Sequence, residues 1–297
     1  MMLNVTAIGE ILYDIYPDKK RLGGAPFNFI YHIWKILGKA NFISSVGSDD
    51  NGKEILNYLN SIGFNTDLII VDEKHPTGTV QVYLDENKIP HFTISSECSY
   101  DYLTLNEKAL EVIEHNTDIL YFGTLSQRSE ISRKTIKSLL GRHIKYFCDL
   151  NLRHDFFTEE MILEALTASN VVKINYQEFE KIKKILDINT NDNIAIEIIA
   201  NKFNIDLLSI TLGSDGAILY NKKAMSKYKT ETKNIVDTVG AGDAFAAILC
   251  IGYLVDMDIN SINKLANEFA TEICMIEGAI PVEDSIYDKY RKIFSSY

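Results

Sequence analysis

The chain has 297 residues, a formal net charge of −11, and 46% apolar against 24% charged side chains. That length and apolar share suit an ordinary globular protein with a large buried core, as one large domain or two smaller ones. The acidic balance argues against nucleic acid as a general partner, no apolar run reaches membrane-spanning length, and the four cysteines form no C-x-x-C pair, which argues against a structural zinc site.

Residues 5–9 read as a short buried strand, and no basic segment with a cleavable apolar run precedes it. The cytoplasm is therefore the default location. A turn-rich stretch, Pro17-Asp-Lys-Lys-Arg21, follows, and Gly23 and Gly24 make a second break. Pro26 suits a helix start; apolar residues recur at helical spacing over 28–37, and Gly38 stops the helix. Residues 40–46 predict a strand, and 53–62 a helix ending at Gly63.

The pattern then changes. Residues 77–84 and 91–95 read as exposed strands joined by the polar turn Asp85-Glu-Asn-Lys88. With residues 12–17 they predict a small antiparallel layer on a larger body. Phe27, Tyr13 and Tyr83 read as either pocket walls or packing residues.

Beyond Glu107 short apolar strands alternate with helices. Strands are expected at 119–122, 145–148, 171–174 and 207–211, with helices at 132–140, 159–166 and 194–203. Residues 217–220 add an edge hairpin strand, and the last third is helical over 243–254, 262–272 and 285–294. This order predicts an α/β, mostly parallel sheet covered on both faces.

Ligands of such sheets bind beyond the carboxyl ends of the strands. The polar residues expected there are Asp149, Asn151, Arg153, Asn175, Glu178, Thr211 and Gly213. Each alone is also an ordinary cap or turn residue. The stretch Asp237-Thr-Val-Gly-Ala-Gly-Asp243 places an acid just past two glycines at the start of an apolar helix. A helix start with exposed N–H groups favours an anion, and Asp243 beside it suits a proton acceptor. Read alone, the same stretch is a tight turn with Asp as helix cap. It lacks the Lys-Ser/Thr of a Walker A loop and the third glycine of a dinucleotide fingerprint. In Gly23-Gly-Ala-Pro-Phe-Asn28 the glycines permit close backbone approach, and Asn28 can both donate to and accept from a polyol. Asp14 can accept from two hydroxyls or lie at the surface.

These stretches, with Gly9-Glu-Ile-Leu-Tyr-Asp14, Val46-Gly-Ser-Asp-Asp-Asn-Gly52, Asp149-Leu-Asn-Leu-Arg153, Lys173-Ile-Asn-Tyr-Gln-Glu178 and Thr211-Leu-Gly-Ser-Asp-Gly216, occur in one order along nearly the whole chain. In that order they resemble the ribokinase-like, or PfkB, carbohydrate kinase family, most closely its bacterial fructokinase branch. The resemblance implies a single ribokinase-like domain over 1–297: a doubly wound sheet sandwiched by helices, with a small β lid from about 11–22 and 76–95. It implies ATP-dependent phosphorylation of a sugar hydroxyl, with the lid excluding water. Asp243 is then the general base, and the amides of Gly240, Ala241 and Gly242 form the anion hole. Asp14, Gly24, Asn28 and Arg153 correspond to sugar-contacting positions. Asn175 and Glu178 correspond to the Asn-x-x-Glu element that organises Mg²⁺, with Glu178 acting through water. Thr211, Gly213 and Asn267 correspond to the nucleotide side. Asp237, Val239 and Gly278 correspond to a K⁺ site, although Val282 stands where some relatives have serine. The family also suggests a homodimer through the lid, whose incomplete edge gives a motive.

The favoured substrate is D-fructose, phosphorylated to the 6-phosphate. The nearest alternative is 2-keto-3-deoxygluconate, whose carboxylate Arg153 would suit. Ribose or a nucleoside is less favoured. A non-catalytic sugar-binding regulator on the same fold is a further alternative, although the base and the anion hole are both present in the sequence.

Overall fold

Alternate residues of a strand face opposite sides of its sheet, and in the central strands here both sets are apolar. The computed structural model describes residues 3–84, 90–230 and 234–297. The strands are β1 (Val5–Ile8), β2 (Leu12–Ile15), β3 (Lys20–Gly23), β4 (Asn41–Gly47), β5 (Ile69–Asp72), β6 (Gly78–Leu84) and β7 (Pro90–Ile94). They continue with β8 (Ile119–Phe122), β9 (Lys145–Asp149), β10 (Val171–Asn175), β11 (Leu207–Thr211), β12 (Ala217–Asn221) and β13 (Ala224–Tyr228). The helices are α1 (Ala25–Leu37), α2 (Asp50–Ser61), α3 (Glu107–His115), α4 (Glu130–Leu139) and α5 (Glu159–Ala168). They continue with α6 (Tyr176–Ile185), α7 (Asp192–Lys202), α8 (Ala241–Leu254), α9 (Ile259–Cys274) and α10 (Asp288–Phe294).

Nine strands form the large sheet, in the order β13-β12-β11-β10-β9-β8-β1-β4-β5. All of its pairings are parallel except β11 with β12 and β12 with β13. The alternation sorts the core into two layers. Val5, Ala7, Ile119, Tyr121 and Phe147 face the helices α1, α8 and α9. Ile8, Leu120, Phe122, Cys148 and Ile174 face α3 to α7. The fold is thus α/β and ribokinase-like, with a second, smaller sheet.

The local signals explain the helix ends. Pro26 lies in the first turn of α1, and Gly38 caps its end at φ 78°, donating to Trp34 O at 2.8 Å. Asp49 caps α2 by accepting from Gly52 N at 2.8 Å. Phe27 and Tyr13 are buried in the core, whereas Tyr83 is half exposed on the small sheet.

Three expectations need correction. The small sheet, ordered β3-β2-β6-β7, is mixed: β2 pairs with β6 in parallel. Lys20 and Arg21 belong to β3, not to a turn, because their backbones pair with β2. β12 is not the edge; β13 lies outside it. The turn expected at residues 85–88 lies outside the described residues.

From β1 the chain steps outward to β4 and β5, and from β8 outward the other way to β9, β10 and β11. The direction reverses between β1 and β8, and ligands bind at such a crevice. The Ser126 hydroxyl, beyond β8, donates to the Glu10 carboxylate, beyond β1, across that gap.

Candidate active site

The first turn of α8 is the centre of the site. Gly240 precedes it in the left-handed region, at φ 79°, and no side chain caps the helix. A methyl group on Gly240 would lie 2.3 Å from Ala279 Cβ, so both the conformation and the close packing demand glycine. The opening N–H groups of a helix have no acceptor within it, and its dipole favours an anion there. The Ala241 N–H is partly engaged, donating to Thr238 O at 3.4 Å. Gly242 is exposed and leaves the helix start open.

Asp243 sits in this turn, and its Oδ2 accepts from Asn28 Nδ2, in the first turns of α1, at 2.8 Å. Burial and the nearby Asp149 charge push the Asp243 carboxyl up to about 7, against the Asn28 hydrogen bond and the charges of Lys173 and Arg153. Such a carboxyl is a far better proton acceptor near neutrality than an ordinary aspartate. Asn28 is buried, and its Oδ1 has no protein partner, leaving an acceptor for a ligand hydroxyl.

Behind the turn lies a buried ion pair. Lys173 Nζ donates to both oxygens of Asp149 at 2.9 Å, and Tyr121 Oη donates to Asp149 Oδ2 at 3.3 Å. Burial works to lower the Lys173 pKa, but Asp149, Asp243 and Glu178 raise it overall, so it stays charged. A methyl on Gly242 would come 3.3 Å from Lys173 Nζ, which places this ammonium directly against the helix start.

Asp14, on β2, is pushed up to about 6 by burial, with Arg153 and Arg21 opposing the shift. Gly24 adopts φ 111°, and a methyl there would lie 2.5 Å from Glu10 O. Glu10 is fully buried; burial raises its pKa, while the Ser126 hydrogen bond, Arg153 and Arg128 lower it. Arg128 is held by Asp101 through Nε to Oδ1 at 2.8 Å and Nη2 to Oδ2 at 2.7 Å, and its buried Nη1 has no partner. The exposed Arg153 guanidinium makes no hydrogen bond or ion pair among the described residues, yet its charge reaches Glu10, Asp14 and Asp243.

Asn175 and Thr211 are register partners at the ends of β10 and β11. Asn175 caps α6: its Oδ1 accepts from Glu178 N at 2.9 Å, and Glu178 Oε2 accepts from Asn175 N at 2.8 Å. Glu178 Oε1 accepts from Leu152 N at 2.7 Å, so both oxygens of this buried carboxylate are fixed by backbone donors. Gly213 follows β11 at φ 61°. Among the described residues no group of three or more His, Cys, Asp or Glu is placed to hold a metal.

Asn267, on α9, sits in a buried hydrogen-bond network. It is buried, and its amide donates to Asn263 O at 2.8 Å and Asn263 Oδ1 at 2.9 Å, while its Oδ1 accepts from Thr230 Oγ1 at 3.0 Å. Asn263 in turn donates to Ala217 O and Ser226 O, each at 3.2 Å. The Asn267 amide is thus taken up by Asn263 within α9, and it is Asn263 that ties the helix to the β12–β13 hairpin. Asp237, Val239 and Gly278 do converge, but through N–H groups: Asp237 Oδ1 accepts from Val239 N and Oδ2 from Gly278 N, each at 3.1 Å.

Lys173, Glu10 and Arg128 are site residues to which the sequence pattern gives no role. A signal existed for the first. Lys173 interrupts the apolar run of a buried strand, and a buried ammonium there requires a partner. Arg128 has none, because its partner Asp101 lies 27 positions away in a short 3-10 helix that shows no periodic pattern.

A sequence profile described as pfkB family carbohydrate kinase matches residues 2–285. An uncharacterized sugar kinase of Pyrococcus horikoshii is 29% identical, over 97% of this chain and 96% of its own. Its crystal structure in complex with ATP covers 98% of this chain and 99% of its own at a TM-score of 0.79, with 27% identity. A fructokinase of Escherichia coli is 29% identical over 85% of each chain. The crystal structure of a Vibrio cholerae fructokinase double mutant with fructose, ADP and potassium bound shares the fold at a TM-score of 0.80, with 22% identity over 96% of this chain and 97% of its own. An open helix start, a carboxyl poised in its first turn and a matching profile along the chain lead to one assignment. The chain belongs to the pfkB family of carbohydrate kinases and is an ATP-dependent sugar kinase.

Proposed function

We propose that this kinase phosphorylates D-fructose at its terminal primary hydroxyl, giving fructose 6-phosphate and ADP. The observation that carries the phosphoryl-transfer part of this reading is the Asp243 carboxyl, held by Asn28 in the uncapped first turn of α8 and raised to about 7. The sugar oxygen attacks the γ-phosphorus, the bond from that phosphorus to the ADP oxygen breaks, and the hydroxyl proton passes to Asp243. The amides at residues 240–242, with Gly242 most open, stabilise charge on the transferring group, and Lys173 adds positive charge from behind. Asp14, the free Oδ1 of Asn28 and the backbone beside Gly24 bind sugar hydroxyls. Thr211 and Gly213 line the nucleotide side.

Mg²⁺, when bound with the nucleotide, neutralises phosphate charge. Glu178 fits an outer role toward its water ligands, because both carboxylate oxygens are already fixed and Mg²⁺ keeps several waters.

A neutral ketose suits a site in which the Glu10, Asp14 and Asp243 carboxyls all lie within reach of the Arg153 charge, since added negative charge beside carboxyl groups is disfavoured. One observation favours 2-keto-3-deoxygluconate instead: the unpaired guanidinium of Arg153 could take its carboxylate. ADP release with MgATP and D-fructose, 2-keto-3-deoxygluconate, D-ribose or no sugar separates the readings. Fructose-selective release supports the proposal. Selective release with the keto acid overturns the substrate and makes Arg153 its anchor.

A further inference from the structure

Arg21 stands on β3 opposite Asp14 of β2, yet its guanidinium crosses to the far side of the site. Nη1 donates to Asp237 Oδ2 at 2.8 Å, and Nη2 donates to the Glu277 carboxylate. The stem also fills the space over Gly278, where a methyl would lie 3.5 Å from Arg21 Cδ. The Tyr16 ring lies 5.0 Å from the guanidinium carbon. Lys19 also donates to Glu277.

These contacts fall on the residues that would form a monovalent-cation site. Such an ion needs oxygen lone pairs facing an open space. Here the Asp237 carboxylate accepts from Val239 N, Gly278 N and Arg21, so its ligands are N–H donors and one of them already carries a positive charge. As arranged, the Asp237 carboxylate is already neutralised by Arg21 and is not set to take an additional cation.

The location gives that charge a purpose. Val236 N and Asp237 N both donate to Cys274 O, at 2.8 and 3.2 Å, and Gly240 packs on Ala279. The knot therefore clamps the turn that opens α8 against the loop after α9. An unneutralised carboxylate in it would repel an incoming polyphosphate and loosen the turn.

We propose that Arg21 is the resident cation of this knot and makes the kinase independent of monovalent cations. The inference rests on the family assignment and not on the identity of the sugar. Guanidinium suits the role because its charge is permanent and its planar fork can hold two carboxylates at once.

The test compares wild type, Arg21→Ala and Arg21→Lys in potassium chloride and in choline chloride at equal ionic strength. Two quantities are read: ADP release with whichever sugar gives turnover, and melting temperature without sugar. Wild type and Arg21→Lys should change by less than about twofold in turnover between the salts, with no shift in melting. Arg21→Ala should lose about tenfold or more in choline, with potassium restoring part of it and raising the melting temperature. The proposal is overturned if wild type itself melts higher in potassium and needs it for turnover. It is equally overturned if Arg21→Ala responds to potassium in neither measurement. Should Arg21→Ala fail to fold, wild type and Arg21→Lys still decide, and the melting readout is unaffected by an error in the sugar.

Discussion

Asn28 and Asp243, 215 residues apart, join the starts of two helices through one hydrogen bond of 2.8 Å. That bond favours the charged carboxylate, while burial and Asp149 disfavour it. Removing it should raise the Asp243 pKa further. Because Asp243, as the proposed base, must be ionised to accept a proton, wild-type kcat should rise with pH through about 7 and then level off. In Asn28→Ala the acid limb should move up by about one unit, since a hydrogen bond to a charged group contributes about 1.5–3 kcal/mol. A pH–rate profile of both proteins checks this, and an unmoved limb contradicts it.

The same carboxyl has a consequence for stability. Its folded pKa, about 7, exceeds the ordinary 3.8. The folded state therefore holds a proton that the unfolded state loses, so this group's contribution is complete below 3.8 and is lost as pH rises to about 7. Asp243→Asn carries no such charge. Its melting temperature should exceed that of wild type by a margin that grows between these limits and then stays constant. Parallel melting curves across pH test this directly.

The Lys173–Asp149 pair is buried on both sides, with side chains 10% and 1% exposed. Lys173→Met leaves a buried, uncompensated carboxylate beside Asp243. The loss should be about 3–5 kcal/mol in urea denaturation, the usual cost of breaking a buried pair from one side. The double change Lys173→Met with Asp149→Leu should recover a substantial part, because no lone charge remains.

Gly240 and Gly38 form a matched comparison. Both have positive φ, 79° and 78°, but a methyl on Gly240 strikes Ala279 whereas one on Gly38 meets nothing within 4 Å. Gly38→Ala should cost about 1–2 kcal/mol of stability and leave kcat unchanged. Gly240→Ala should lower kcat by about 100-fold or more, since it displaces the turn that carries Asp243.

The parallel core was legible because its strands are buried on both faces and read as short apolar runs. Its margins were not. β5 carries the exposed Val71, and β13 has an exposed Ala224 and Lys227, so neither stands out as a buried run. The parallel pairing of β2 with β6 depends on tertiary placement, which periodicity does not encode. Lys20 and Arg21 read as turn residues because they are polar; their strand is fixed by pairing with β2, and the reach of Arg21 to Asp237 spans 216 positions. At the site, Asp243 and Asn28 stood out through motif and spacing. The raised pKa of Asp243 did not, because it arises from burial and from Asp149, which the fold brings close. The burial of Asn267 and its ties to Asn263 and Thr230 are not legible in the sequence, because they form only once α9 lies on the hairpin.

The central claim is that Asp243 accepts the proton of the attacking hydroxyl. The measurement is kcat for Asp243→Asn with MgATP and D-fructose, beside fructose binding by calorimetry. The account predicts a fall of about 100-fold or more in kcat, with the fructose dissociation constant within about tenfold of wild type. Turnover close to wild type with fructose still bound would contradict it.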